Sequence, residues 1–368
     1  MKVAIVHDWL ANMGGAERVV WALHELYPEA PVFTLVHNPA RLPEKFRELD
    51  VRTSFLQKIP GAKSKYQWLL PLMPVAIEQF DLAGYDVVIS SSHACAKGVI
   101  TRPEALHICY CHTPMRYAWE FYHQYLEQEQ VGRLGRALIA PVMTNLRLWD
   151  YASAQRVDHF VANSRAVAAR IRKHYRREAT VIHPPVDTAQ FACGPREDFF
   201  LVVSRLVGYK RIDLAVEAFR QLDLPLVIIG EGSQSGTLKK SAGPNITFLG
   251  RQPDEVVRDY FSRCRAFIFP GEEDFGLTPV EAQAAGRPVI AYGRGGVLDT
   301  VLPGETGILF SEQTPESLAA AVREFLQVES RFSPERIRNH AEAFDRSAFK
   351  EKMAVLVNRL YTEHWGIR

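Results

Sequence analysis

The chain has 368 residues, of which 47% are hydrophobic and 23% are charged, and its formal net charge is +2. This length exceeds the size at which one hydrophobic core stops growing, so two domains are expected. The small net charge argues against a nucleic-acid partner, and the balanced composition argues against a disordered chain.

The beginning of the chain and its cysteines restrict the cellular setting. Residues 1–8 form a short apolar run that ends in charge, which is typical of a buried strand rather than of a signal peptide. No uninterrupted apolar run reaches the roughly 18 residues that span a bilayer. The five cysteines are odd in number and lack CxxC spacing, so neither a disulfide framework nor a zinc site is indicated. We therefore expect a cytoplasmic protein.

Strand-like and helix-like segments alternate along the chain. In the first half, apolar runs predict a helix at 16–27 and strands at 3–6, 32–36, 87–91, 106–111 and 160–162. In the second half they predict helices at 212–222 and 279–285 and strands at 199–204, 226–229, 246–249, 266–270, 289–291 and 307–310. Such alternation is typical of parallel sheets with crossover helices, so the predicted fold class is α/β with two Rossmann-like parallel sheets.

A segment rich in proline and glycine separates the two series. Between residues 183 and 195 these residues prevent regular structure, which predicts an interdomain linker. The domains are therefore expected at 1–190 and 195–345, and ligands at the carboxyl ends of strands, in a cleft between the two sheets. Residues 346–368 predict an amphipathic helix that packs back on the first domain. Its apolar positions are Phe349, Met353, Val355, Leu356 and Leu360.

Two loops that connect a strand to a helix are candidate phosphate-binding loops. Gly14 and Gly15 open the first helix, where glycine permits close backbone approach and free N–H groups attract anions; a tight turn that needs a positive φ is an equal alternative. Arg205, Lys210 and Arg211 precede the helix at 212–222. The helix dipole repels cations there, so this cluster indicates a missing anion such as a diphosphate, with solvated surface cations as the alternative.

Residues 265–291 predict a strand, an acidic loop, a short helix and another strand. Thr278 suits the N-cap of this helix and Pro279 its first position. Glu281 then lies in the first turn, and two functions stay open for it: the glutamate of a capping box, or a ligand of a substrate. The acids at 272–274 form an ordinary polar loop or, beside a cleft, accept hydrogen bonds from sugar hydroxyls.

Glu273 and Glu281 enclose seven residues, and this region resembles the signature of the GT4 family of retaining glycosyltransferases, which have the GT-B fold. The matching runs are Glu273-Asp274-Phe275-Gly276-Leu277, Glu281-Ala282 and Gly286-x-Pro288-Val289-Ile290. The resemblance extends along nearly the whole chain, including Gly14-Gly15 and the Arg205…Lys210 pair. It implies an acceptor-side domain at 1–190 and a nucleotide-sugar donor domain at 195–345.

The resemblance also implies roles for the residues of the donor site. Glu281 would bind the ribose hydroxyls, and Glu273 would approach hydroxyls of the donor sugar. The backbone of residues 275–277 would face the sugar and the diphosphate, next to the phosphate-binding glycines of the first loop. Arg205 and Lys210 would neutralise the leaving diphosphate, as a metal ion does in other transferases.

His112 directly follows the predicted strand at 106–111, at the strand end where α/β sites form. A lone histidine is usually structural, but the resemblance makes His112 the family's active-site histidine near the donor sugar. Cys109 and Cys111 alternate with Tyr110 and His112 along the strand. The two thiols are therefore expected to face away from the histidine, which makes a zinc site improbable.

No metal ion and no cofactor are expected. The chain contains no Asp-x-Asp, so a metal-bound diphosphate is not supported. Gly230-Glu231-Gly232 resembles part of a dinucleotide fingerprint but lacks the GxGxxG spacing, which argues against nicotinamide binding.

Two regions are candidates for the acceptor side. Residues 54–80 combine lysines with aromatic and aliphatic side chains, which fits a lipid-linked acceptor or peripheral contact with the inner membrane surface; a core helix plus a loop is an equal alternative. Residues 119–122 could line a subsite for an acceptor sugar, with aromatic packing as the alternative. Those residues are Trp119, Glu120, Phe121 and Tyr122.

The resemblance thus implies a retaining hexosyltransferase of polysaccharide biosynthesis, and the lack of an Asp-x-Asp agrees with a metal-independent enzyme. Its partners would be a nucleoside-diphosphate sugar donor and a glycan or lipid-linked hydroxyl acceptor, with no nucleic acid. Similarity of the amino-terminal region to mannosyl-transferring relatives implies mannose from GDP-mannose. Two alternatives stay open: a nucleotide-sugar epimerase or hydrolase of the same fold, which turns over the donor without an acceptor, and a non-catalytic protein that only binds nucleotide sugars.

Overall fold

A computed structural model of the protein describes residues 1–120, 122 and 132–366. Phe121 lies outside the described residues, as do positions 367–368 of the predicted C-terminal helix. The chain divides into two compact units, Met1–Pro184 with Phe349–Arg368, and Pro185–Ala348. Each unit contains one parallel sheet covered on both faces, so the predicted fold class is confirmed.

The sheet of the first unit has the order β3-β2-β1-β4-β5-β6-β7, and its strand pairs are parallel. The strands are β1 Val3–His7, β2 Val32–Thr34, β3 Val51–Thr53, β4 Val87–Ser92, β5 Leu106–Cys111, β6 His159–Ala162 and β7 Ala179–Val181. Ile5 pairs with Val32 of β2 on one side and with Ile89 of β4 on the other. The strand order reverses there, which makes the carboxyl ends of β1 and β4 the topological switch point of this sheet.

The helices of the first unit cover both faces of its sheet. They are α1 Gly15–Leu26, α2 Ala62–Lys65, α3 Met73–Glu78, α4 Arg116–Trp119, α5 Arg133–Ala154 and α6 Arg165–Tyr175. Ile5 of β1 packs in an apolar cluster with Leu23 of α1, whereas its neighbour Val6 packs in another cluster with Ile77 of α3. Because β1 is buried on both faces, it carries apolar residues at neighbouring positions, which is why residues 3–6 form a continuous apolar run in the sequence.

The second unit repeats this architecture with the order β10-β9-β8-β11-β12-β13. Its strands are β8 Phe200–Val203, β9 Leu226–Ile229, β10 Ile246–Gly250, β11 Ala266–Phe269, β12 Val289–Tyr292 and β13 Gly307–Phe310. All of its strand pairs are parallel. The order reverses between β8 and β11, so their carboxyl ends form the switch point of the second sheet.

The second sheet is also covered on both faces. Its helices are α7 Ile212–Leu222, α8 Ser235–Ser241, α9 Asp254–Arg263, α10 Leu277–Ala284, α11 Val297–Thr300, α12 Pro315–Val328 and α13 Pro334–Ala341. Phe200 of β8 packs against Phe219 and Phe325, while its neighbour Leu201 belongs to the opposite cluster, together with Phe261 and Val280.

The last described helix, α14 Arg346–Gly366, begins in the second unit and belongs to the first from Phe349 onward. Its buried residues are Phe349, Met353, Leu356 and Val357. The prediction that Val355 belongs to the apolar stripe is wrong, since this side chain is 65% exposed. Val357 occupies the stripe instead, because it lies four residues after Met353 on the same helix face.

Candidate active site

Lys210 and Glu273 meet at the carboxyl ends of β8 and β11. The Lys210 ammonium forms an ion pair with the Glu273 carboxylate, and the two side chains are 12% and 23% exposed. Gly271 permits this approach, since a Cβ there would lie 2.9 Å from the Lys210 carbonyl oxygen. The fold thus brings together two of the predicted catalytic residues, 63 positions apart in the chain, at the switch point of the second sheet.

A glycine pair that the sequence analysis missed holds the acidic loop. Glu273 forms a parallel bridge with Gly295, and the N–H of Gly296 donates to the Glu273 carbonyl oxygen at 2.9 Å. A side chain at either glycine would collide with the backbone of residues 273–275. The run Gly293-Arg294-Gly295-Gly296 directly after β12 was the available signal, because glycines at a strand end indicate close backbone approach.

The three cations before α7 have different partners. Arg211 donates to the Asp213 carboxylate, with its Nε 3.2 Å from Oδ1, and Lys210 pairs with Glu273. Lys210 and Arg211 thus each have a carboxylate partner in the structure, and the predicted contact of this cluster with a diphosphate stays a prediction. Arg205 is exposed, its guanidinium donates to the Tyr209 hydroxyl, and in the described part of the chain it meets no carboxylate.

Helix α10 begins earlier than predicted. Its N-cap is Gly276 with φ +85°, a left-handed conformation that glycine adopts without strain, and its first residue is Leu277. The prediction of Thr278 as N-cap is therefore wrong, because this side chain already lies inside the first turn. The capping-box alternative for Glu281 requires that N-cap, so it does not apply. Glu281 is buried, at 7% exposure, in the second turn.

The residues before α10 divide between the core and the helix entrance. Phe275 is buried and its ring lies 5.9 Å from that of Phe344, so its side chain serves the hydrophobic core. Only its backbone is available to a ligand. Gly276 and Leu277 open the helix, whose first N–H groups have no partners within the helix and suit an anion.

His112 lies at the switch point of the first sheet. Its N–H donates to the Ser92 carbonyl oxygen at 2.8 Å, and its own carbonyl oxygen accepts a hydrogen bond from Asn163 Nδ2 at 2.9 Å. Its Nε2 lies 2.8 Å from Ser91 Oγ. Burial, together with His93 and His7 nearby, holds the pKa of His112 well below its usual value.

A buried carboxylate missed by the sequence analysis organises this strand end. Asp8 directly follows β1 and accepts four backbone N–H groups at 2.5–2.9 Å; the donors are His93, Ala94, Cys95 and Ala96. Burial alone would raise the pKa of the Asp8 carboxyl, but His93, His7 and these N–H groups hold it below its usual value. His7-Asp8 at the end of the first apolar run was the signal that the sequence contained.

Gly14 makes room for a second buried carboxylate. Its φ is −153°, an extended conformation open to any residue, so the alternative of a turn that needs positive φ is wrong. A Cβ at Gly14 would lie 3.0 Å from Glu17 Oε2. Glu17 is 6% exposed, and its Oε1 lies 3.7 Å from His7 Nε2. Gly15 is the first residue of α1.

The cysteines of β5 lie on the face opposite His112. Cys109 and Cys111 pack in a cluster with Phe160, whereas Tyr110 belongs to another cluster and its ring lies 5.2 Å from that of His112. The predicted orientation of the thiols is confirmed. Within the described residues, no group of three or more His, Cys, Asp or Glu side chains is arranged to hold a metal ion.

The two candidate acceptor regions differ. Trp119 donates to Asp150 at 2.7 Å and Glu120 pairs with Arg170 at 2.9 Å, which favours the packing alternative for these two residues. In the segment 54–80, some apolar side chains are buried and others face solvent. Leu56, Tyr66 and Met73 are buried, while Phe55, Trp68, Leu72 and Val75 are exposed. Among the described residues, no helix has the length and apolarity needed to cross a membrane.

Two family models match the chain. Residues 13–190 match Glycosyltransferase Family 4, and residues 187–344 match Glycosyl transferases group 1. The chain is 24% identical over 211 residues to an uncharacterized glycosyltransferase of Methanocaldococcus jannaschii, covering 56% of this chain and 60% of the relative. It is 27% identical over 222 residues to a D-inositol 3-phosphate glycosyltransferase of Rhodococcus opacus, covering 51% and 50%. It thus spans about half of the length of the curated relatives it matches.

Solved structures match nearly the whole chain. Sucrose-phosphate synthase from Thermosynechococcus elongatus has a TM-score of 0.77 at 20% identity, covering 99% of this chain and 100% of that one. HepE from Anabaena, in complex with UDP-glucose, has a TM-score of 0.70 at 16% identity, covering 98% and 100%. At these identities the likeness concerns the fold, and it confirms the expected GT-B fold.

Proposed function

Since the chain belongs to the GT4 family of glycosyltransferases with the GT-B fold, we propose that it transfers a hexose from a nucleoside-diphosphate sugar to a hydroxyl group of a glycan or lipid-linked acceptor, with retention of configuration. The observation that carries this proposal is the contact of Lys210 with Glu273 at the switch point of the second sheet. An ammonium and a carboxylate side by side offer one group for a phosphate and one for sugar hydroxyls, which are the two parts of such a donor.

The donor diphosphate binds the cations of this loop. Lys210 turns from Glu273 to the phosphates, and Arg205 joins it, because its exposed guanidinium meets no carboxylate in the described chain. Glu273 is then free to accept hydrogen bonds from the sugar. Two positive charges aimed at the leaving diphosphate stabilise the negative charge that develops there, so transfer proceeds without a metal ion.

Helix α10 binds the remaining parts of the donor. The free N–H groups at its start, beside Gly276 and Leu277, face the phosphates. Glu281 is nearly buried and accepts hydrogen bonds from the ribose hydroxyls, an arrangement supported by the loss of the capping-box alternative. The backbone of Phe275 contacts the sugar while its ring stays in the core.

The chemical step is a substitution on one face of the sugar. The bond from the anomeric carbon to the diphosphate oxygen breaks, and the acceptor oxygen bonds to the same face. The leaving phosphate oxygen takes the acceptor proton, so no protein nucleophile is needed. His112 is the remaining residue of the proposed catalytic set. Its match to the family's active-site histidine supports a place near the transferred sugar.

A thermal-shift screen with GDP-mannose, UDP-glucose and an ADP-sugar tests the donor. A ligand at 100 times its dissociation constant stabilises the native state by about 2.7 kcal/mol. When all nucleotide sugars are tested at one concentration, the one that binds most tightly raises the melting temperature most, and we expect this to be the donor. We propose GDP-mannose. A larger shift with UDP-glucose would overturn mannose but keep the class of enzyme, whereas no shift with any nucleotide sugar would contradict the proposed function.

Glu281→Ala tests the ribose contact. We expect nucleotide-sugar affinity to fall by roughly 10-fold or more, since a hydrogen bond to a charged group contributes about 1.5–3 kcal/mol. Glu255→Ala, which removes an exposed glutamate in the first turn of α9, is the matched control. Unchanged affinity of Glu281→Ala by calorimetry would contradict the assigned role.

Product analysis separates the transferase from its alternatives. A transferase consumes the donor only when an acceptor is present, while an epimerase or hydrolase consumes it alone, and a binding protein leaves it intact. The anomeric proton coupling in the NMR spectrum of the product reports retention or inversion directly.

The segment 54–80 supports peripheral contact with a lipid surface. Trp68 is 83% exposed and Val75 is 54% exposed. The lysines of this segment, Lys58, Lys63 and Lys65, are also exposed. An exposed tryptophan beside cations suits the interface of an anionic membrane. We expect Trp68→Ser to reduce cosedimentation with anionic vesicles and Val355→Ser, an exposed valine of α14, to leave it unchanged; equal binding of both variants would contradict this contact.

A further inference from the structure

Four polar side chains of the first unit form a connected series that starts at His112. Its Nε2 lies 2.8 Å from Ser91 Oγ, and Ser91 Oγ lies 3.2 Å from His7 Nδ1. His7 Nε2 in turn lies 3.7 Å from Glu17 Oε1, an ion-pair distance beyond that of a hydrogen bond. His7 and Ser91 are fully buried, and the series joins α1, β1 and β4 to the residue after β5.

We propose that Glu17, His7 and Ser91 are positioning residues that hold His112 as a neutral imidazole with its proton on Nδ1. The proposal rests on the catalytic part proposed above for His112. None of the three positioning residues touches the substrate in this scheme; they act through His112.

The hydrogen-bond partners determine where each proton lies. His7 Nδ1 is 3.0 Å from the Ser91 carbonyl oxygen, which can only accept, so this nitrogen carries a proton. The same N–H also points to Ser91 Oγ, which accepts from it at 3.2 Å. The hydroxyl hydrogen of Ser91 is therefore free to be donated to another group. His112 Nε2 is its acceptor at 2.8 Å, and among the described residues no other acceptor lies within hydrogen-bond distance of this buried hydroxyl. A neutral His112 whose Nε2 accepts must carry its proton on Nδ1.

The charges around the series agree with this assignment. Burial alone would lower the pKa of His7, but Glu17, Asp8 and the Ser91 carbonyl oxygen raise it above its usual value. Burial and the two neighbouring histidines His93 and His7 hold the pKa of His112 far below its usual value. His7 therefore binds a proton more readily than His112, which agrees with a neutral His112 whose Nδ1 donates a hydrogen bond.

Gly14 belongs to this arrangement. A Cβ at position 14 would lie 3.0 Å from Glu17 Oε2, tighter than ordinary packing, so the absence of a side chain lets Glu17 stay near His7. The glycine loop before α1 thus serves His112 through Glu17, in addition to any contact of its backbone with a phosphate.

NMR of protein labelled with 15N-histidine tests the assignment. Long-range 1H–15N correlations report which ring nitrogen carries the proton, and the spectrum of His112→Gln identifies the signals of His112. At neutral pH we expect the unaltered protein to show His112 protonated on Nδ1 and not on Nε2. A proton on Nε2 would overturn the proposal.

Ser91→Ala and Ser90→Ala form a matched pair of variants. Both serines are buried in β4 and each bonds a histidine, but Ser90 Oγ meets His107 Nε2 at 2.9 Å instead of His112. We expect Ser91→Ala to give His112 a mixture of tautomers and to lower kcat by roughly 10-fold, the lower end of the loss when an orienting partner of histidine is removed. The donor KM should stay the same, and Ser90→Ala should change neither the tautomer nor kcat. An unchanged His112 tautomer in Ser91→Ala would overturn the proposal.

Glu17→Gln provides a second variant if Ser91→Ala fails to fold. It removes a charge and keeps the side-chain shape, so the pKa of His7 should fall in the same spectra, and the pKa of His112 should rise because a less protonated His7 opposes its protonation less. An unchanged pKa of His7 in Glu17→Gln would contradict the proposed contribution of Glu17. If His112→Gln transfers sugar at the unaltered rate, His112 is not a catalytic residue. The tautomer of His112 in the unaltered protein still tests whether Glu17, His7 and Ser91 position its ring.

Discussion

The switch points of the two sheets are built on different physical principles. At the first, His7, Asp8 and Ser91 are fully buried and held by short hydrogen bonds to neighbouring strand ends. At the second, Lys210 and Glu273 are partly exposed and hold mainly each other. Polar groups of the first kind are part of the fold, because a buried group without its partner is costly. Charges of the second kind can exchange partners, as binding of a charged ligand requires.

The largest expected effect is on catalysis at the second switch point. Lys210→Ala should lower kcat by about 10²–10³, the usual loss for a preorganised group that stabilises developing charge. We expect the free energy of unfolding to fall by less than the roughly 3–5 kcal/mol that is lost when a fully buried pair is broken, because both side chains keep some contact with water. Steady-state kinetics and urea unfolding measure the two quantities.

Lys240→Ala, at an exposed lysine in the last turn of α8, is the control and should leave both quantities unchanged. A loss of stability in Lys210→Ala that matches its loss of activity would mean that the second switch point is structural too.

Asp8→Asn should show the opposite behaviour. The carboxylate accepts four N–H groups, and an amide can replace only part of this, so we expect a loss of about 2–4 kcal/mol in the free energy of unfolding. Asp158→Asn is the control, because Asp158 is exposed and accepts the N–H of His107 at 2.7 Å. Equal losses of unfolding free energy in the two variants would contradict the larger contribution to stability that we assign to Asp8.

His107 makes the first sheet sensitive to acid. Burial lowers the pKa of this histidine to about 3, against an ordinary value of 6.5 in the unfolded chain. The unfolded state therefore binds the extra proton first as the pH falls, so stability that is fully present above pH 6.5 is lost towards pH 3. Between pH 6.5 and 4.5 this loss is about 2 kcal/mol.

His107→Gln should remove this part of the pH dependence, measured by urea unfolding at several pH values. His159→Gln alters a half-buried histidine whose pKa is also lowered, and we expect a smaller change of slope. An unaltered slope in His107→Gln would show that His107 is not the source of the acid sensitivity.

The smallest expected effect concerns the helix entrance beside the acidic loop. Gly276→Ala places a Cβ at φ +85° and 3.1 Å from the Phe269 ring, so we expect a loss of about 1–2 kcal/mol. Gly236→Ala in α8 is the control, since nothing lies within 4 Å of its Cβ position and its φ is not positive. Calorimetric unfolding of both variants, with donor affinity as a second measurement, tests whether the backbone here serves stability or binding.

Much of each unit could be predicted from local patterns. The apolar runs of β1, β5 and β9 predicted their strands, and β3 and β7 were missed because each is a three-residue strand with a polar residue at its centre. The spacing of Glu273 and Glu281 indicated the donor site of the family. The N-cap of α10 was placed wrongly, because Thr278 is a good N-cap residue in isolation, whereas the backbone conformation of Gly276 decides where the helix begins.

The sequence by itself determined the α/β class, the repeated series of strands and the family, since periodicity, glycine positions and motif spacing are local properties of a chain. Only the tertiary structure decided which strand ends are neighbours. Parallel pairing brings Ser91 to His7, 84 positions away, and Glu273 to Lys210. Neither contact leaves a local trace in the sequence, because each follows from strand order, and strand order is decided by how whole helices and strands pack.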